Sequence, residues 1–135
     1  ALRLAAGEDL VAQALDWAAP RLGELPLLVY ATAAPAAVQA VQQQLGAGRA
    51  GVLVEGALAR IASGLVALGV GQLVVAGGET SGACVQALGI TQLRIGPQID
   101  PGVPWCHAQA PGLHLALKSG NFGGTDFFHR AFELL

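Results

Sequence analysis

Apolar residues recur at helical spacing in some stretches of the chain and form short unbroken runs in others. Within residues 8–19, Leu10, Val11, Ala14, Leu15 and Ala18 fall on one helical face, with Glu8 and Asp9 at the dipole-favoured start and Pro20 marking the end. Pro26–Thr32 is a continuous apolar run and reads as a strand buried on both faces. Pro35 opens a second helix through about Leu45, with Gly46 as its C-cap. From Ala50 to Leu68, a stripe of Val54, Leu58, Ile61, Leu65 and Leu68 predicts a long helix closed by Gly69. Gln72–Ala76 reads as a second buried strand, Thr80–Leu88 as a helix ended by Gly89, and Gln92–Ile95 as a third strand. Gly96–Pro104 is turn-rich and predicts a hairpin whose partner strand lies near Trp105–Gln109. Leu113–Lys118 alternates like a strand, Ser119–Gly124 is a loop, and Thr125 or Asp126 caps a last helix to Leu135. The apolar face of that helix is Phe127, Phe128, Ala131, Phe132 and Leu135. Strands alternate with helices early and cluster late. The expected fold is an α/β three-layer sandwich with a mixed, largely parallel sheet flanked by helices.

Composition narrows the function classes. The chain has 135 residues, 53% hydrophobic and 12% charged, so it reads as one domain over 1–135 with its own core and not as a disordered segment. A pI near 5.8 without a basic cluster argues against a nucleic-acid partner. The longest helical stretch carries Glu55 and Arg60, so no clean apolar span is expected and no membrane partner. Cys84 and Cys106 read as ordinary thiols in a reducing, cytoplasmic compartment, since two cysteines make neither a disulfide framework nor a zinc site. There is no Met and the chain opens on Ala1, which reads as a domain cut from a longer chain.

The 19 glycines become informative where they cluster. Gly77-Gly78-Glu79-Thr80-Ser81-Gly82 follows a predicted strand and opens a helix. Glycine lets the backbone turn sharply and lets a ligand approach. The first amides of a helix lack internal partners and face the positive dipole end, a ready anion site. Thr80 and Ser81 can donate hydroxyls or cap the helix; Glu79 can hold Mg²⁺ or a ribose hydroxyl. The motif is neither a Walker A loop nor a dinucleotide fingerprint, and a plain strand–helix turn is the alternative. Lys118-Ser-Gly-Asn-Phe-Gly-Gly124 repeats the arrangement. Lys118 is either a phosphate contact or a strand-end lysine, and Asp126 either a Mg²⁺ ligand or a cap. Trp105 either flanks a base or packs the core. His107, His114 and His129 have no sequence partner at metal-ligand spacing, and no metal ligand is assigned among them.

Three blocks carry a family resemblance. Val75–Gly82, Leu93–Trp105 and Leu115–Gly124 resemble, in order and spacing, the four-carbon acid sugar kinases, the family of 3-oxo-tetronate, D-threonate and D-erythronate kinases. The resemblance covers their C-terminal nucleotide-binding domain. It implies ATP with Mg²⁺, with Gly77, Gly78, Glu79, Thr80 and Gly120 lining the nucleotide site. It also implies transfer of the γ-phosphoryl group to a terminal hydroxyl of a sugar acid held by an N-terminal domain absent from this sequence. The catalytic base is unassigned, and self-association through the face that domain would cover is a further expectation. The alternative is a non-catalytic anion- or partner-binding module built on the same fold; a nicotinamide-dependent oxidoreductase is disfavoured by the missing fingerprint.

Overall fold

In the computed structural model, every residue except Glu24 is described. The helices are α1 (Leu2–Ala5), α2 (Leu10–Ala18), α3 (Pro35–Leu45), α4 (Ala47–Ala67), α5 (Gly78–Ala87) and α6 (Phe127–Glu133), with a 3₁₀ turn at Ala19–Arg21. The strands are β1 (Gln72–Ala76), β2 (Arg94–Asp100), β3 (Val103–Ala108) and β4 (Leu113–Lys118), in the order β1-β4-β3-β2. β1 and β4 are parallel, and the two pairs β4–β3 and β3–β2 are antiparallel.

Local chemistry explains the boundaries. The Asp9 carboxylate caps α2 by accepting from the Ala12 amide at 3.0 Å. Pro35 occupies the first turn of α3, where its missing amide costs nothing. β2 runs on through the stretch expected to turn, and the chain reverses at Pro101-Gly102 instead. Its register against β3 shifts on both sides of Gln98, next to Pro97, which has no amide to donate.

The layers follow from strand alternation. On one face Val75, Ala108, Leu113 and Leu115 pack against Ala59 and Ala62 of α4 and Cys84 of α5. On the other, Ile99, Val103, Trp105 and Ala116 pack against Phe127 and Ala131 of α6. α4, with 21 residues, is long and apolar enough to cross a bilayer by length and composition. Here it serves as a packing helix: Ala57 and Ile61 meet Val11 of α2, while Ala59 and Ala62 meet the sheet layer. Gly64 allows the approach of α2, since a Cβ there would sit 2.5 Å from Leu15.

The sheet is mixed, as expected, but its parallel part is the single β1–β4 pair. The reason is Pro26–Thr32, which does not enter the ladder as a strand. Its residues alternate instead. Leu27 and Val29 are half-buried, Val29 against the cluster of Val11, Ala57 and Ile61, while Leu28 and Tyr30 are 63% and 69% exposed. An unbroken apolar run thus covers a helix pair with one side only, and β1 keeps a free edge.

Trp105 is the largest fully buried side chain. Its indole N–H donates to the Ala131 carbonyl at 2.8 Å, and its ring meets Phe132 edge-on at 6.0 Å. Of the two roles open to it, the structure selects core packing. Trp105→Ala is expected to cost about 3–5 kcal/mol, read as a lowered urea midpoint, because it leaves a cavity and removes the indole hydrogen bond to α6.

Candidate functional site

The parallel pairing of β1 with β4 positions the site. The register runs from Gln72 opposite His114 to Ala76 opposite Lys118, so both strands end level. From β1 the chain turns into α5 on one face of the sheet; from β4 it turns into α6 on the other. Neighbouring parallel strands whose connections leave to opposite faces open a crevice at their carboxyl ends. The two glycine loops flank it, as expected. The Gly77 amide donates to the Lys118 carbonyl at 2.7 Å and ties one loop to the other.

The first loop is built around backbone. Gly77 is the N-cap of α5, with φ of +124°, and a Cβ there would lie 3.2 Å from the Thr80 hydroxyl. Only glycine adopts that turn without strain. The helix begins at Gly78, earlier than the apolar periodicity indicates, so Thr80 and Ser81 lie inside its first turn and no side chain caps it. The amides of Gly78, Glu79 and Thr80 therefore face the crevice end with no intrahelical partner, while the Ser81 amide is taken by the Gly77 carbonyl at 2.8 Å. A Cβ on Gly78 would meet nothing within 4 Å, so the space beside that residue is open. Glu79 is exposed and is the acid of the first turn; Ser81 is buried with its hydroxyl unpartnered.

The second loop is held by its ends. Lys118 Nζ donates to the carbonyls of Ser119 and Gly120 at 3.4 and 3.2 Å and lies 5.9 Å from the centre of the Phe127 ring. Gly120 has open space around it. Gly123, at φ +85°, cannot carry a side chain, because a Cβ would come within 2.8 Å of Phe127. The Gly124 amide donates to Asp100 Oδ2 at 3.0 Å, and Arg130 bonds Asp100 Oδ1 at 2.7 Å and the Ile99 carbonyl at 2.6 Å. Asp126 stands at the α6 N-cap without a capping hydrogen bond, 3.9 Å from Arg130.

The Asp100–Gly124–Arg130 clasp is the element that sequence reading misses. Asp100 lies in the hairpin and Arg130 in the last helix, and no spacing rule links them. The Gly124 amide, followed by Arg130, holds the Asp100 carboxyl below the usual carboxylate range.

The remaining candidates fall elsewhere. His129 pairs with Glu133 on the exposed side of α6, while His107 and His114 sit far along the sheet from the loops. Burial pushes the Cys84 and Cys106 thiols up, which leaves them poor nucleophiles. Among the described residues no three His, Cys, Asp or Glu side chains gather as a metal cage. A groove of about 1410 Å³ extends from Thr80 and Lys118 along the free edge of β1, past Ala76, Val74, Tyr30 and Phe128.

A carboxyl whose folded-state value is lowered stabilises the fold fully above the ordinary carboxylate range. That contribution fades as pH falls through the lowered value. Asp100→Asn is therefore expected to be less stable than the parent at neutral pH, and the gap should close on acidification. Urea midpoints across an acid pH series check this.

Comparison with known proteins places the domain. The chain is 59% identical over 135 residues to a 3-oxo-tetronate kinase of Burkholderia multivorans, covering 99% of this chain and 31% of that protein. It is 45% identical over 125 residues to a 3-oxo-tetronate kinase of Haemophilus influenzae, covering 92% of this chain and 30% of that one. A crystal structure of a Haemophilus influenzae protein superposes with a TM-score of 0.87 at 44% identity, over 94% of this chain and 31% of that one. The chain thus spans less than a third of the length of these relatives. The sequence model of one family, the nucleotide-binding C-terminal domain, matches residues 1–128, and the chain belongs to that family.

Proposed function

We propose that this domain binds ATP with Mg²⁺ and serves as the nucleotide half of a kinase. In this reading the kinase phosphorylates a four-carbon sugar acid of the 3-oxo-tetronate type on a terminal hydroxyl. The observation that carries the reading is the pair of glycine loops tied through Gly77 and Lys118 at a crevice with uncapped helix amides. The naming of the relatives supplies the acceptor class.

The residues present fit a polyphosphate. Gly78, Glu79 and Thr80 offer amides beneath space that a Cβ would fill, and Gly120 offers a second open backbone wall. Lys118 brings positive charge between the loops, and Glu79 can hold the magnesium ion through its waters. When bound, ATP supplies the phosphoryl group and Mg²⁺ neutralises its oxygens. The chain's own contribution is positioning: Gly77 fixes the turn, Gly123 and the Asp100 clasp fix the second loop, and the groove along β1 receives the nucleoside. The sugar acid and the group that orients its hydroxyl belong to the remainder of the parent protein. Two unpaired thiols suit a reducing, cytoplasmic setting.

Calorimetry with ATP and ADP, with and without Mg²⁺, tests the reading. Gly78→Val should weaken binding about tenfold or more while changing stability by no more than about 0.5 kcal/mol, because a Cβ there enters the proposed ligand space and meets no protein atom within 4 Å. Gly77→Ala should instead lower stability, since it forces a strained φ against Thr80. The chain by itself should bind nucleotide weakly and show no sugar-acid kinase turnover. Failure of both nucleotides to bind at millimolar concentration would leave the non-catalytic module as the reading.

A further inference from the structure

The hairpin register assembles a polar row that no linear motif reveals. Arg94 on β2 pairs with His107 on β3, His107 pairs with His114 on β4, and His114 pairs with Gln72 on β1. The row crosses the sheet at the ends of β1 and β4 remote from the glycine loops. His107 and His114 lie directly opposite each other on one face, both half-buried, with ring centres 4.9 Å apart and planes tilted by 57°. They line a depression of about 370 Å³ together with Arg94, Trp105 and Leu135. Among the described residues, neither imidazole is taken up by a protein hydrogen bond or ion pair.

We propose that His107 and His114 form a two-imidazole chelate for a late first-row divalent ion of the zinc class, in the depression at the end of the sheet away from the glycine loops. Such an ion bonds imidazole nitrogen at about 2.0–2.1 Å, which places the centres of two imidazoles on one ion roughly 5 Å apart. The observed ring-centre spacing of 4.9 Å matches that distance. Paired strands hold the two backbones in register, so binding has only the side chains to order. Imidazole is a preferred donor for zinc, copper and nickel. Cys106 also borders the depression, but it pairs with Leu115 and shares that residue's face of the sheet, opposite to the two rings. With no third protein ligand gathered there, the remaining positions belong to water and the ion exchanges readily. Among the described residues, Arg94 is the one charged side chain lining the depression, and its charge opposes the cation.

Zinc titration of the chain by calorimetry tests this and does not depend on nucleotide. One zinc per chain is expected. His107→Ala and His114→Ala should each weaken it about tenfold or more, since loss of an outer-sphere partner alone costs about 10–100-fold. His107→Gln and His114→Gln, which better preserve side-chain bulk, should lose it likewise if either alanine variant is poorly folded. His129→Ala should leave it unchanged. Arg94→Gln should tighten binding by relieving repulsion. Absence of zinc binding at millimolar ion, or binding indifferent to both histidines, would overturn the proposal. So would inorganic phosphate binding that Arg94→Gln abolishes, which would make the row an anion site.

Discussion

The hydrogen-bonded pairing of β1 with β4 is the constraint on which the rest depends. These strands are distant in sequence and joined by a helix and a hairpin, yet their ends lie level, with Ala76 opposite Lys118. The bond from Gly77 to Lys118 extends the ladder by one step into the loops. Every feature of the crevice follows from that alignment. α5 presents its uncapped amides beside the second loop because both chains leave the sheet at the same level and toward opposite faces. Were β4 slipped by one residue, its side chains would exchange faces, carrying His114 toward α4 and α5 and Leu115 out of their core. The core therefore enforces the register, and the register builds the site.

Rigidity on the α6 side has a separate source. Trp105 anchors α6 through the Ala131 carbonyl, and Arg130, one residue earlier on that helix, grips Asp100. Asp100 in turn holds Gly124. The second glycine loop is thus fastened to the β2–β3 hairpin through a carboxylate, and the hairpin is fastened to the helix through an indole. A loop rich in glycine loses much entropy on ordering. Here both its ends are fixed by groups that are themselves held by the core, which leaves Gly120 and Asn121 as the segment between fixed points.

Much of this was legible in the residues. Helical periodicity located α2 and α4, Pro35 and Gly46 bounded α3, and the glycine clusters located both loops, because those signals are local. The start of α5 was misplaced because apolar periodicity cannot register a first turn made of Gly78 and Glu79, which bury nothing. The run from Pro26 to Thr32 looked doubly buried because an apolar composition records affinity for a surface, not the presence of a partner strand. Asp100, Arg130 and the His107–His114 pair were invisible for a third reason. Each arises from the register of the hairpin or the docking of α6, and tertiary juxtaposition leaves no periodic trace.

The charge distribution explains why the crevice suits binding better than chemistry by itself. Backbone amides and Lys118 can hold phosphate oxygens, but Lys118 also answers to two carbonyls of its own loop. Arg130, on the helix that follows the second loop, is already engaged by Asp100 and the Ile99 carbonyl. Phosphoryl transfer demands positioning of an acceptor and neutralisation of charge that spreads as the bond to the leaving group lengthens. Within this domain, one lysine and one row of amides meet the second demand only in part. In the proposed kinase, the magnesium ion and the remaining two thirds of the parent chain supply what the crevice lacks. In that proposal this domain's share is a backbone cradle whose shape is set by strand register.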